Sequence, residues 1–236
     1  MPRRRSSEPA PPPAPYPLEV GTPAGPARAY VCPAADARAT LVLGHGAGRG
    51  SDTPDLLALA AGLPPHGIGV IRLDQPWVVA GRKVAPTPVA LDQAWLAALP
   101  QLPVGGLLLV GGRSAGARVA CRTGRGLGAS GTVCLAFPLH PPGRPERSRA
   151  DELAGAAGPT LVLQGERDSF GRPDELEDGT ALVVPVPGAD HSLAVLRSAG
   201  PGAQQAVLDG LVSAVLDWAG RSGFLADGSC PPRARG

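Results

Sequence analysis

The residues Gly112-Arg113-Ser114-Ala115-Gly116 spell the pattern Gly-x-Ser-x-Gly. A serine hydroxyl is a weak nucleophile at neutral pH. It acts only when a base takes its proton and a third group holds that base in the right tautomer. The local context favours a reactive serine over an ordinary helix-capping one, which is the plain alternative for Ser114. An apolar run, Leu107–Val110, precedes the pattern and reads as a buried strand, and residues 115 to 122 read as a helix. A turn sharp enough to expose Oγ between strand and helix leaves no room for side chains beside it. Gly112 and Gly116 provide that room.

On an open sheet of parallel strands the acid and then the base are expected downstream of the serine, each just past the carboxyl end of a strand. Thr160–Leu163 reads as a strand and leads into Gly165-Glu166-Arg167-Asp168; Leu182–Val186 leads into Gly188-Ala189-Asp190-His191. Asp168 and His191 are therefore the acid and base, with Glu166 and Asp190 as rivals for the acid. Asp190 adjoins His191 and suits the shaping of its turn. The oxyanion of an acyl-transfer reaction needs two backbone N–H donors. Ala115, at the start of the nucleophile helix, is one. Ala47, in the glycine-rich loop Gly44-His45-Gly46-Ala47-Gly48 after the strand Thr40–Leu43, is the other.

Further residues border this set. Trp77, on the connection Asp74–Pro86, is a candidate substrate wall or a core residue. Arg113, inside the pattern, and His140, in Phe137-Pro138-Leu139-His140-Pro141, are candidate substrate contacts, a solvent-facing loop histidine being the alternative for His140. His45 reads as structural to its loop and His66 as a surface turn residue.

Other chemistries fail on context. Gly126-Leu127-Gly128-Ala129-Ser130-Gly131 matches a dinucleotide-binding pattern, but it follows a helix and precedes a strand, the reverse of what that fingerprint requires. The sole lysine, Lys83, is not in a phosphate-binding loop. Cys32, Cys121, Cys134 and Cys230 lack metal-ligand spacing, so no metal and no cofactor is expected.

The elements that must position these residues alternate along the chain. The strand runs are Ala29–Val31, Thr40–Leu43, Val70–Leu73, Leu107–Val110, Thr132–Phe137, Thr160–Leu163 and Leu182–Val186. Several are continuous Val and Leu, as strands covered on both faces require. Thr53-Pro54 and Thr87-Pro88 read as caps with proline in the first helical turn. Another helix starts near Ser148. The last spans Pro201 to Trp218 with Val207, Leu211, Val215 and Trp218 on one stripe. This alternation gives a mostly parallel, doubly wound α/β sheet with helices on both faces. The interval from Phe137 to Pro159 is too short for a separate cap domain.

Composition sets the outer limits. Hydrophobic residues at 43% allow a sizeable core, and charged residues at 18% exclude a disordered polyelectrolyte. With aromatics at 3%, that core must be Leu, Val and Ala. The net charge of +2 hides an asymmetry: residues 1 to 17 carry +2 and residues 230 to 236 another +2, which leaves the body at −2. A nucleic-acid binder carries its positive stripe on the folded part, so no nucleic acid is expected. Residues 1 to 17 read as a disordered Pro/Arg-rich tail, 18 to 225 as the domain, and 226 to 236 as a flexible tail. The N-terminus has no apolar segment behind its arginines and no run approaches membrane-spanning length. A cytoplasmic protein acting on a small acyl substrate, with no membrane partner, is the expectation; oligomeric state is not legible.

The runs around His45-Gly46-Ala47-Gly48, Gly112–Gly116, Phe137–Pro141 and Gly165–Asp168 resemble the α/β-hydrolase superfamily, in its cap-poor, dienelactone-hydrolase-like branch. More closely they resemble the branch that includes subunit 3 of the NSL histone acetyltransferase complex and a testis-expressed relative. The resemblance covers roughly residues 27 to 220 and implies the α/β-hydrolase fold and a Ser-Asp-His serine hydrolase. The relation to a complex subunit also implies an alternative, a catalytically silent interaction protein on the same fold.

Overall fold

The computed structural model describes residues 14–176, 179 and 181–225. Eight strands form one sheet: β1 (Tyr16–Val20), β2 (Ala27–Cys32), β3 (Ala39–Gly44), β4 (Ile68–Asp74), β5 (Leu107–Arg113), β6 (Gly131–Leu135), β7 (Thr160–Gly165) and β8 (Leu182–Val186). Their order is β1-β2-β4-β3-β5-β6-β7-β8. β2 runs antiparallel to both β1 and β4, and every other pair is parallel. The helices are α1 (Pro54–Gly62), α2 (Pro76–Val79), α3 (Pro88–Ala98), α4 (Ala115–Thr123), α5 (Ala150–Ala154) and α6 (Ala203–Arg221).

The central strands are apolar on both faces because both faces are covered. In β3, Leu41 and Leu43 join α1 and α6 in one cluster, through Leu56, Leu59, Leu211, Val215 and Trp218. Val42, between them, faces the other way into a cluster with Leu91 and Trp95 of α3 and Val119 of α4. All three β3 side chains are fully buried. β7 divides in the same way, with Leu161 and Leu163 on the first face and Val162 beside Cys121, Cys134 and Leu153 on the opposite one. Each such side chain contributes about 1.5–3 kcal/mol by leaving water.

All seven expected strand runs are strands, and two elements escaped the sequence reading. β1 begins at Tyr16, two residues inside the stretch expected to be a tail; residues 1–13 and 226–236 lie outside the described residues. Pro17 sits in β1 without penalty because β1 is an edge strand. α2 interrupts the connection expected between Asp74 and Pro86. β6 stops at Leu135, short of the expected Phe137, because Ala136 turns out of the strand at φ 48°. Thr87 accepts the expected cap bond from Ala90 N, whereas Thr53 makes no cap bond. Segment 136–149, between β6 and α5, contains no helix or strand, so it forms no cap domain over the carboxyl end of the sheet.

Candidate active site

Ser114 occupies the single residue between β5 and α4, at φ 53° and ψ −111°. A positive φ at a residue with a Cβ costs on the order of 1–3 kcal/mol and persists only where the surroundings enforce it. Here three glycines do so. A Cβ on Gly112 would lie 2.5 Å from the Gly44 carbonyl oxygen, and one on Gly116 would collide with the Gly44 backbone. α4 therefore seats directly on the end of β3. Ser114 N donates to the Leu135 carbonyl of neighbouring β6 at 2.9 Å. The Ser114 side chain makes no capping bond to α4. Its Oγ lies instead 3.0 Å from Nε2 of His191.

Asp168 and His191, the expected acid and base, stand where β7 and β8 end. Nδ1 of His191 lies 2.8 Å and 3.0 Å from the two carboxylate oxygens of Asp168. A carboxylate only accepts, so Nδ1 carries the proton and Nε2 is left to accept from the serine. Asp168 is 1% exposed. Its oxygens also accept from Phe170 N at 2.8 Å and from Nε2 of Gln164 at 3.0 Å. The Phe170 ring stacks on the imidazole, with centroids 4.1 Å apart. The rivals have other work. Glu166 accepts from Gly188 N at 2.8 Å. Asp190 accepts from Ser192 N and Ala194 N, shaping the histidine turn as its position suggested. Gln164 was not legible beforehand: it is fully buried within a strand and anchors Asp168 while also donating to the carbonyls of Phe137 and Gly171.

Ala47 and Ala115 line one cavity of about 10 Å³ together with Trp77, Leu91 and Val119. That volume is near the threshold for one water or one oxygen-sized group. His45 braces the loop. Its Nδ1 donates to the Gly46 carbonyl at 2.8 Å, and its Nε2 accepts from Gln75 N at 3.1 Å. These bonds require the neutral ring, and burial pushes its pKa below the ordinary histidine value. Trp77 also lines this cavity and is 6% exposed, packed within the core beside His45.

Two expected substrate contacts are engaged within the protein. Arg113 donates from Nη2 to the His191 carbonyl at 3.2 Å, and its Nε lies 3.3 Å from the Asp55 carboxylate. His140 neither lines the cavity beside Ser114 nor faces solvent. It is 7% exposed, with Nδ1 3.0 Å from the Pro141 carbonyl and Nε2 3.0 Å from the Glu175 carboxylate. Only the imidazolium donates to both, and the Pro141 carbonyl, then Glu175, raises its pKa against the opposing effect of burial.

Cavity size does not mark the site. A cavity of about 680 Å³, an apolar groove between β8 and α6, is lined by none of Ser114, Asp168 or His191. Among the described residues no group of three or more His, Cys, Asp or Glu could hold a metal ion, and no helix is long and apolar enough to cross a membrane.

A mostly parallel sheet with a strained serine at the turn from a central strand into a helix is the architecture of α/β hydrolases. Residues 37–220 match the alpha/beta hydrolase domain family, and the chain belongs to it. Solved structures agree at the level of fold. A lid-less α/β serine hydrolase from Xanthomonas campestris is 19% identical, with TM-score 0.66 over 95% of this chain and 100% of that one. Est1E from Butyrivibrio proteoclasticus is 14% identical, with TM-score 0.64 over 86% of this chain and 99% of that one. A dienelactone hydrolase from Anabaena variabilis is 17% identical, with TM-score 0.63 over 88% and 97%.

Proposed function

We propose that this protein is a serine hydrolase of small carbonyl substrates, with Ser114 as nucleophile, His191 as general base and acid, and Asp168 as the residue that orients and charge-stabilises the imidazole. The observation that carries the reading is the unbroken chain of contacts: 3.0 Å from Oγ to Nε2, then 2.8 Å from Nδ1 to the Asp168 carboxylate. Oγ attacks the carbonyl carbon as Nε2 takes its proton. The oxyanion forms between the N–H groups of Ala47 and Ala115, where the N-terminus of α4 adds a favourable dipole. The tetrahedral intermediate collapses as the imidazolium protonates the leaving group. Water, deprotonated by His191, then hydrolyses the acyl-enzyme.

The substrate class is an ester, thioester, lactone or amide of modest size. The absence of any helix or strand in segment 136–149, and the similarity in fold to an esterase domain from Rhodothermus marinus and to the dienelactone hydrolase, support an ester or lactone first. No step calls for a cofactor, and the setting we assign is the cytoplasm. Within the family, the four motif runs also support kinship with the branch containing subunit 3 of the NSL complex.

The test is covalent tagging by a fluorophosphonate probe. Wild-type protein becomes labelled on Ser114, and labelling and ester hydrolysis both vanish in Ser114→Ala while the thermal melt is kept. A folded wild-type protein that resists the probe refutes the proposal and leaves the silent interaction protein as the better reading.

A further inference from the structure

We propose that Arg113, itself held by Asp55, is a positioning residue that keeps His191 within reach of Ser114; the inference rests on the triad reading above. The loop that carries the base is tied to itself, to the last helix and to the turn after β7, where Glu166 accepts from Gly188 N, Arg167 N donates to the Ala189 carbonyl and Asp168 accepts from His191 Nδ1. Asp190 satisfies the N–H groups of Ser192 and Ala194. Gln204 of α6 accepts from Val195 N and donates to the Leu193 carbonyl. None of these bonds relates the loop to the nucleophile strand.

Arg113 supplies that relation. It is the residue immediately before Ser114, and its Nη2 donates to the backbone carbonyl of His191 itself at 3.2 Å. The same guanidinium lies beneath the oxyanion loop, where a Cβ added to Gly46 would sit 3.8 Å from Nη1. One side chain thus bonds the backbone of the base and lies near Gly46 of the oxyanion loop, while its own residue directly precedes the serine. It does so away from the open face, with its side chain 13% exposed.

Asp55 explains how the guanidinium is held there. It sits in the first turn of α1, its side chain is 1% exposed, and the Arg113 Nε lies 3.3 Å from Oδ2. Neither Asp55 oxygen has an aligned hydrogen bond among the described residues. The carboxylate thus acts on Arg113 as a buried countercharge. The two partners of Arg113 lie at different nitrogens of the planar fork, and a lysine ammonium cannot reproduce that span.

The experiment separates positioning from folding and from substrate contact. Removing Arg113 alone would strand a buried carboxylate, whereas replacing both charges by neutral residues of similar volume is often tolerated. The double variant Arg113→Gln with Asp55→Asn is therefore expected to melt close to wild type. Its kcat should fall about 100-fold, the usual consequence of a misplacement near 1 Å, with KM within about twofold. The rate of fluorophosphonate labelling should fall in step, because the probe needs only Ser114 and His191. Arg113→Lys keeps the countercharge of Asp55, so it folds if the double variant does not, and should retain about a tenth of kcat. A folded variant of either kind with kcat within threefold of wild type overturns the proposal. So does a raised KM at constant kcat, which would make Arg113 a substrate contact. Failure of wild-type labelling would instead count against the triad reading.

Discussion

Replacing Asp168 by asparagine changes one atom and should leave a folded protein with almost no turnover. The carboxylate accepts from three donors: His191 Nδ1, Phe170 N and Gln164 Nε2. An asparagine keeps one acceptor oxygen. If that oxygen stays on Phe170 N, the new NH₂ faces both His191 Nδ1 and the Gln164 amide, which are donors. The imidazole escapes by moving its proton to Nε2, and Nε2 then cannot accept from Ser114. The charge matters as well. A carboxylate about 4 Å from a developing imidazolium contributes roughly 4 kcal/mol at an effective dielectric constant of 20. At 1.36 kcal/mol per decade that is about a thousandfold in kcat, and the inverted tautomer extends the loss to about 10⁴. Folding does not share the penalty, because a 1%-exposed anion is replaced by a neutral amide of the same shape. The assay pairs p-nitrophenyl acetate hydrolysis with a thermal melt. A kcat within tenfold of wild type in a folded Asp168→Asn protein refutes the assigned role of the carboxylate, and a kcat loss that merely tracks a lowered Tm assigns it to folding.

Two further outcomes test the seat of the nucleophile and the brace behind the acid loop. Gly116→Ala forces a methyl into the Gly44 backbone where α4 meets β3, so it should cost about 1–3 kcal/mol in chemical denaturation and reduce kcat with it; an unchanged denaturation midpoint contradicts the packing argument. The His140–Glu175 contact is expected to show in the pH dependence of stability. His140 has a raised pKa, so its contribution is complete below its ordinary value of 6.5 and is lost as pH rises through the folded value. Glu175 has a lowered pKa, set chiefly by the backbone N–H of Arg172 and then by His140, so its contribution is complete above 4.5 and is lost as pH falls through the folded value. The Tm difference between wild type and Glu175→Gln should therefore be greatest between pH 4.5 and 6.5, and a flat difference across pH 4–9 contradicts the pairing.

Much of the fold was legible because its signals are local. A strand buried on both faces must be apolar almost throughout, and Thr40–Leu43 or Thr160–Leu163 advertises that in four residues. Helix starts and tight turns are marked by Thr-Pro and glycine. β1 was hidden because Pro17 and the prolines before it read as a tail, and only an unpaired edge makes proline harmless there. α2 was hidden because one helical turn carries no usable period.

The chain order Ser114, Asp168, His191 also follows from sequence, since each residue trails a strand run and parallel strands bring their carboxyl ends to one side. Which carboxylate meets His191 does not follow. Glu166 and Asp168 lie two residues apart, and the choice between them was made by where the turn after Gly165 aims each side chain: one at Gly188 N, the other at the imidazole. The partners of Arg113 and His140 were beyond reach for the same reason. Asp55 and Glu175 are 58 and 35 residues away along the chain, and a charge pattern read in one dimension cannot say which buried cation a distant carboxylate will meet. Sequence determined the parts of the site and the layer that carries them; the tertiary packing of α1, the histidine loop and the acid loop against that layer decided which side chains face the reaction and which hold it in place.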